Sequence, residues 1–199
     1  TELHQVAGHR VEPGGVRVSI EHVLEYTKVQ FVQDRITKAD LEAKKLYSNR
    51  GEYEFDYLIL GLGSEPAYFN IEGLKENALP LWSLADAVKI HGHITHMFQQ
   101  ASKESDPEKK KELLTFVVGG AGFTGIEMMG ELIEWVGTLS KKHGIPREDV
   151  HLIQVEALPT PCPILDPKLI AKIEEYLKKK DVKVLTDSFI TGVAKNSLT

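Results

Sequence analysis

The most constraining feature of the chain is the run TFVVGGAGFTGIEMMGEL, residues 115–132. It carries five glycines where an apolar run gives way to an amphipathic one. Glycine loses more conformational freedom on folding than any other residue and supplies no side chain to pack. Its repeated use at a strand-to-helix junction points to a backbone geometry, or a close approach, that a side chain would forbid.

The sequence around this run alternates. Residues 113–118 read as a strand, 124–143 as a helix, 150–156 as a strand, 167–180 as a helix and 182–186 as a strand. That order predicts an α/β fold, with a parallel sheet joined by right-handed helical crossovers. HGIPREDV and the proline-rich LPTPCPILDP break the pattern, and residues 189–195 open an added antiparallel hairpin. The first part of the chain reads differently. Short strands are predicted at 16–20, 29–33, 35–37, 44–48 and 53–55, with a turn at Asn49–Gly51 and a short helix at 22–27. DYLILGLGSEP, residues 56–66, reads as an apolar strand of the kind buried on both faces of a parallel sheet. Ser83 starts a helix with Leu84, Ala87, Val88, Ile94 and Phe98 near helical spacing. Residues 102–112 read as a charged, solvated turn, and the hinge falls within 71–80.

Composition narrows the function classes. The 199 residues are 42% hydrophobic and 27% charged, as in an ordinary water-soluble globular chain. Twenty-nine acids against 24 Lys and Arg give a net charge of −5, which argues against nucleic acid as a partner. One cysteine, Cys162, excludes an internal disulfide and any CxxC centre. No apolar run approaches the ~18 residues of a membrane span.

Gly120, Gly122 and Gly125 form G-x-G-x-x-G directly after the strand and directly before the helix, the context that this motif's mechanism requires. Gly120 permits the tight turn, Gly122 lets a pyrophosphate approach the backbone, and Gly125 allows close packing of helix on strand. The free N–H groups and dipole of the helix N-terminus attract an anionic phosphate. Glu156 ends the second strand and is placed to accept hydrogen bonds from an adenosine ribose. A carboxylate there repels the 2′-phosphate of NADP, and no arginine lies in 156–168 to hold that phosphate. Glu156 lies 31 positions beyond Gly125, against ~20 for the motif. The long helix and the HGIPRED connection absorb the excess.

Other candidates carry less. His91 and His93, two apart on a helix, do not share a face, so no metal site is predicted. Cys162 between Pro161 and Pro163 reads as a small loop residue. Met128, Met129, Leu132 and Trp135 read as helix core, and Lys178–Lys180 as a solvated helix end.

The stretches VVGGAGFTGIEMMGEL and VHLIQVEALPTPCPILDPKLIAKIEEYLKKKDVKVL resemble the NADH-binding domain of type II NADH dehydrogenases, FAD-containing NADH:quinone oxidoreductases with two dinucleotide-binding domains. TELHQVAGHRVEP and YEFDYLILGLGSEPAYFNIEGLKENALPLWSLADAVKIHGHI resemble that family's FAD-domain segment and its crossover. The resemblance implies a partial FAD-binding segment at 1–73 and a Rossmann-like NADH-binding domain at 74–199. It also implies that the chain is the middle of a longer protein. Neither the first FAD pyrophosphate motif nor a membrane-attachment region is present in these residues.

By the same resemblance, Gly120, Gly122, Phe123, Thr124 and Gly125 hold the NADH pyrophosphate and Glu156 the adenosine ribose. Glu127 has two readings. One places it near the nicotinamide–flavin contact; the other makes it a helix-N-terminal acid stabilised by the dipole, worth ~0.3–1 kcal/mol. Thr1 approaches the flavin, Val32 the FAD adenine, and Gly61, Gly63 and Ser64 the FAD side of the crossover. The implied activity is hydride transfer from NADH to FAD and on to quinone, with no catalytic side chain and no metal. The implied location is peripheral, on the cytoplasmic face of a membrane, with the fragment itself soluble, free of tightly bound FAD and prone to self-association through exposed strand edges. Two alternatives stand beside this reading: a NAD(H)-binding or interaction module without catalysis, and a sulfide:quinone-type flavoprotein.

Overall fold

The computed structural model describes residues 2–199. Its contacts divide the chain into two compact units. One comprises the residues up to Arg17 together with Pro66–Thr199, and the other is Val18–Glu65. This division does not coincide with the boundary expected at 73/74. Residues before Arg17 pack with the larger unit, through a short helix α1 (Leu3–Ala7), too short to show a helical period in the sequence.

In the larger unit, α3 (Leu74–Asn77) precedes α4 (Leu84–Ala101) and α5 (Pro107–Leu113). Strand β4 (Thr115–Gly119), helix α6 (Phe123–His143), strand β5 (His151–Val155), helix α7 (Pro167–Lys179) and strand β6 (Val182–Leu185) then alternate as predicted. The sheet order is β4-β5-β6 and both pairings are parallel, with Val118 opposite Gln154 and Gly119 opposite Val155. A small antiparallel hairpin, β7 (Val193–Ala194) and β8 (Ser197–Leu198), follows and bonds to Glu72 through the Val193 N–H.

The elements form where the local chemistry directs. Ser83 and Asp86 make a reciprocal capping box at the start of α4. Asp106 and Asp166 cap α5 and α7, each with proline at the first helical position. Asp106-Pro107 turns what reads as a charged loop at 102–112 into a helix. Helix α6 ends at Gly144 in the left-handed region, φ +64, with Lys141, Lys142 and His143 in its last turn, where the dipole favours cations.

Helix α6 supplies most of the core. Met128, Met129, Leu132, Trp135, Val136 and Leu139 are buried, together with Ile94 and Phe98 of α4 and Leu152 of β5. Each fully buried side chain of this size contributes about 1.5–3 kcal/mol. His91 is stacked on Trp135 at 4.7 Å and lies 4.8 Å from His9. Burial, then His9 and Lys142, depress its pKa. The buried Glu131 of α6 receives two bonds from Arg10, from Nε at 2.9 Å and from the terminal nitrogen at 2.8 Å. That pair fastens the segment after α1 to α6.

The smaller unit contains α2 (Ile20–Leu24) and a three-stranded antiparallel sheet of β1 (Ile36–Asp40), β2 (Lys45–Ser48) and β3 (Glu52–Glu54). Three expected strands are absent. Residues 16–20 start in a 3-10 turn and end in α2, and 29–33 are irregular. The apolar run at 56–62 is also irregular, and Tyr57, Ile59, Leu60 and Leu62 are exposed. A strand exists only through ladder bonds to a neighbour, and among the described residues none pairs with this run.

Replacing Arg10 with alanine strands a buried carboxylate. It should lower stability by ~2 kcal/mol or more, read as a lower urea midpoint, whereas Arg10→Lys should recover part of the loss.

Candidate functional site: the glycine loop at the start of α6

Strand β4 ends at Gly119, and Gly120 follows with φ +89, a region that glycine enters freely and other residues avoid. The Gly120 N–H donates to the Val155 carbonyl at 2.8 Å. The Gly120 carbonyl accepts from Gln154 Nε2 at 2.7 Å, and the next N–H, of Ala121, donates to the Glu156 carboxylate. The Ala121 carbonyl accepts from the Cys162 N–H at 2.9 Å and from its thiol at 3.3 Å. Every polar backbone atom from the Gly120 N–H to the Ala121 carbonyl thus has a partner inside the fold.

Gly122 then opens α6, and the pattern reverses. No side chain caps this helix. The first intrahelical bond runs from the Ile126 N–H to the Gly122 carbonyl, which leaves the amides of Phe123, Thr124 and Gly125 without helical acceptors. Gly122, Phe123 and Thr124 are exposed. A Cβ on Gly120 or Gly122 would enter open space. The loop therefore borders open space, and an anion placed there meets unpaired N–H donors and the positive end of a 21-residue helix.

The third glycine sits where helix and strand end come close. A Cβ on Gly125 would collide with the Gly120 carbonyl, with Gln154 Nε2 next beyond it. Gly125 makes room for the carbonyl that directly follows β4, which lets the start of α6 lie close to the strand end.

Glu156 stands at the end of β5, as the fingerprint requires. Its carboxylate is almost fully buried and accepts from the N–H groups of Ala121 and Leu158, the latter at 2.8 Å. Cys162, at φ +43, is buried against the same loop. Burial first, then the carboxylates of Glu156 and Glu127, push its thiol pKa up. The protonated thiol acts as a donor to the loop, not as a nucleophile.

Glu127 lies one turn into α6 and is paired with His4 Nδ1 at 3.3 Å. The TELH segment and the glutamate after the glycine motif are thus neighbours. Val32, Gly61, Gly63 and Ser64 lie in irregular, exposed parts of the smaller unit, and Thr1 lies outside the described residues. Among the described residues no three His, Cys, Asp or Glu side chains converge as metal ligands, and no helix is long and apolar enough to cross a membrane. The sequence reading missed Gln154 as a loop partner. Its signal was a polar residue inside the buried strand HLIQV, two positions before Glu156 and so on the same face.

A glycine loop between parallel strand and helix, with an acid at the end of the next strand, is the arrangement of a Rossmann-type α/β unit. The chain belongs to the pyridine nucleotide-disulphide oxidoreductase family, which it matches over residues 2–198. It is 36% identical over 185 residues to the type II NADH:quinone oxidoreductase of Staphylococcus aureus, covering 92% of this chain and 45% of that protein. The chain therefore spans about half the length of this relative. In fold it is similar to NDH2 from Plasmodium falciparum in complex with NADH, with a TM-score of 0.86 at 20% identity over 99% of this chain and 42% of that one. The sulfide:quinone oxidoreductase of Aquifex aeolicus is also similar, with a TM-score of 0.77 at 14% identity over 99% and 44%.

Gly125→Ala should displace the Gly120 carbonyl from its seat and destabilise the larger unit by about 1–3 kcal/mol. An unchanged denaturation midpoint would show that the loop relaxes around the methyl group.

Proposed function

We propose that the chain is the NADH-binding part, with an adjoining FAD-domain segment, of a flavin-dependent NADH:quinone oxidoreductase. One observation carries this reading: the uncapped N-terminus of α6 faces open space over Gly120 and Gly122. The other well-formed helices, α4, α5 and α7, close their own N-termini with Ser or Asp side chains. The 36% identity to a type II NADH:quinone oxidoreductase supports the choice within the family.

In this reading Gly120, Gly122, Phe123, Thr124 and Gly125 hold the pyrophosphate by backbone N–H groups. Glu156 accepts from the adenosine ribose with the lone pairs that its amide bonds leave free. Glu127 stands at the nicotinamide end, its carboxylate oriented by His4. Thr1, Val32, Gly61, Gly63 and Ser64 belong to the FAD side, and residues 1–73 to the FAD-binding domain; here the support is the sequence resemblance alone. With NADH held by this loop, a bound FAD would supply the redox chemistry that links the nicotinamide hydride to reduction of a quinone. The protein's part is to position and to exclude: no side chain in the loop acts as nucleophile or base. Peripheral attachment to the cytoplasmic face of a membrane belongs to the same reading. The exposed Tyr57, Ile59, Leu60 and Leu62 support self-association of the chain.

The sulfide:quinone alternative needs paired redox cysteines, and these residues contain one, buried and held as a thiol.

Calorimetric titration tests the reading. NADH should bind more tightly than NADPH, because the 2′-phosphate meets the buried Glu156 carboxylate. Gly122→Val has an ordinary φ of −69 and open space for its side chain, so the fold should survive while NADH binding is lost. Equal binding of the two nucleotides would refute the role of Glu156, and undiminished binding by Gly122→Val would reduce the loop to a plain turn.

A further inference from the structure

We propose that Gln154 is a positioning residue for the dinucleotide, holding the Gly120–Ala121 peptide in the one orientation that leaves the path to the α6 amides open. The inference rests on the reading that this loop binds NADH.

Gln154 sits in the middle of the parallel sheet, fully buried, in a strand whose neighbours Leu152 and Val155 are apolar core. Its Nε2 donates to two carbonyls, of Val118 at 3.1 Å and Gly120 at 2.7 Å. Carbonyls only accept, so the amide nitrogen must face them and Oε1 must point away. That oxygen is buried with no partner among the described residues. A buried, unsatisfied acceptor is unfavourable; an apolar side chain of the same length would remove it but would leave the Gly120 carbonyl without its donor, so the two costs roughly offset. Stability alone therefore does not account for an amide here.

The loop does account for it. Gln154 on β5 and Glu156, the residue directly after its end, are two apart and project to the same face. Gln154 holds the carbonyl edge of the 120–121 peptide, and Glu156 holds its N–H edge. One peptide plane is thus gripped from both sides by a single strand. The grip is needed because Gly120, at φ +89 and with no Cβ, offers little intrinsic resistance to rotation of that plane. A rotated plane would turn the Gly120 carbonyl out of its seat beside Gly125 and toward the pyrophosphate path, where its oxygen repels phosphate. Affinity then falls in proportion to the fraction of molecules with the loop correctly set.

The experiment titrates NAD+, which carries the same pyrophosphate and tolerates acid, into the full chain and two variants, with thermal melting in parallel. Gln154→Met keeps length and apolar packing but cannot donate. It should melt close to the parent temperature, since losing the unpaired Oε1 offsets stranding the Gly120 carbonyl, yet bind roughly tenfold more weakly, the worth of about one hydrogen bond. Gln154→Glu opposes a carboxylate to two carbonyls at neutral pH and binds weakly. When protonated it donates again, so its affinity relative to the parent should recover as pH falls, while the Gln154→Met ratio stays flat. A folded Gln154→Met that binds within twofold of the parent overturns the proposal, and if that variant does not fold, a pH-independent ratio for Gln154→Glu overturns it. Failure of the parent to bind at all removes the NADH reading, and this inference with it. A binding parent with unaffected variants removes the inference alone.

Discussion

The site depends on one left-handed residue. Gly120 at φ +89 turns the chain from β4 toward α6, and everything that follows is arranged to keep that turn. Gln154 and Glu156 reach across from β5, Cys162 backs the Ala121 carbonyl, and Gly125 leaves room for the Gly120 carbonyl. All the polar groups of the turn are satisfied internally, and the unsatisfied ones begin at the helix. Buried polar groups without partners are costly, so a fold that fills every bond up to Ala121 and leaves the next amides open has directed its free donors outward.

The larger unit supports this arrangement by rigidity. Helix α6 is buried along much of its length against α4 and β5, so its N-terminus cannot shift without disturbing the core. Arg10 and His4 bring a distant part of the chain onto the same helix, at Glu131 and Glu127. The glutamate one turn into α6 thus meets a segment that is more than a hundred positions earlier in the sequence.

Much of the site was legible in the sequence because its signals are local. Glycine spacing, the strand before it, the amphipathic helix after it and the acid at the end of the next strand all lie within 115–156, and the fold follows them. The polar grip of Gln154 on the loop was not legible, since it depends on the parallel register that sets Val118 opposite Gln154. The smaller unit was legible only in part. Strands β1 to β3 formed because their turns are short and their partners are near. The apolar run at 56–62 reads as a buried strand by composition, yet burial is a property of neighbours, and none of the described residues pairs with it. Helix α5 shows the opposite error: high charge suggested a loop, although Asp106-Pro107 is a helix start.

The most direct test is to follow backbone amide resonances while NADH is added. The largest shifts are expected at Gly122, Phe123, Thr124 and Gly125, where unpaired N–H groups would gain a phosphate acceptor, with smaller changes in the core of α6. Saturable binding that leaves those four amides unmoved, with its shifts elsewhere in the chain, would contradict the binding of NADH by this loop.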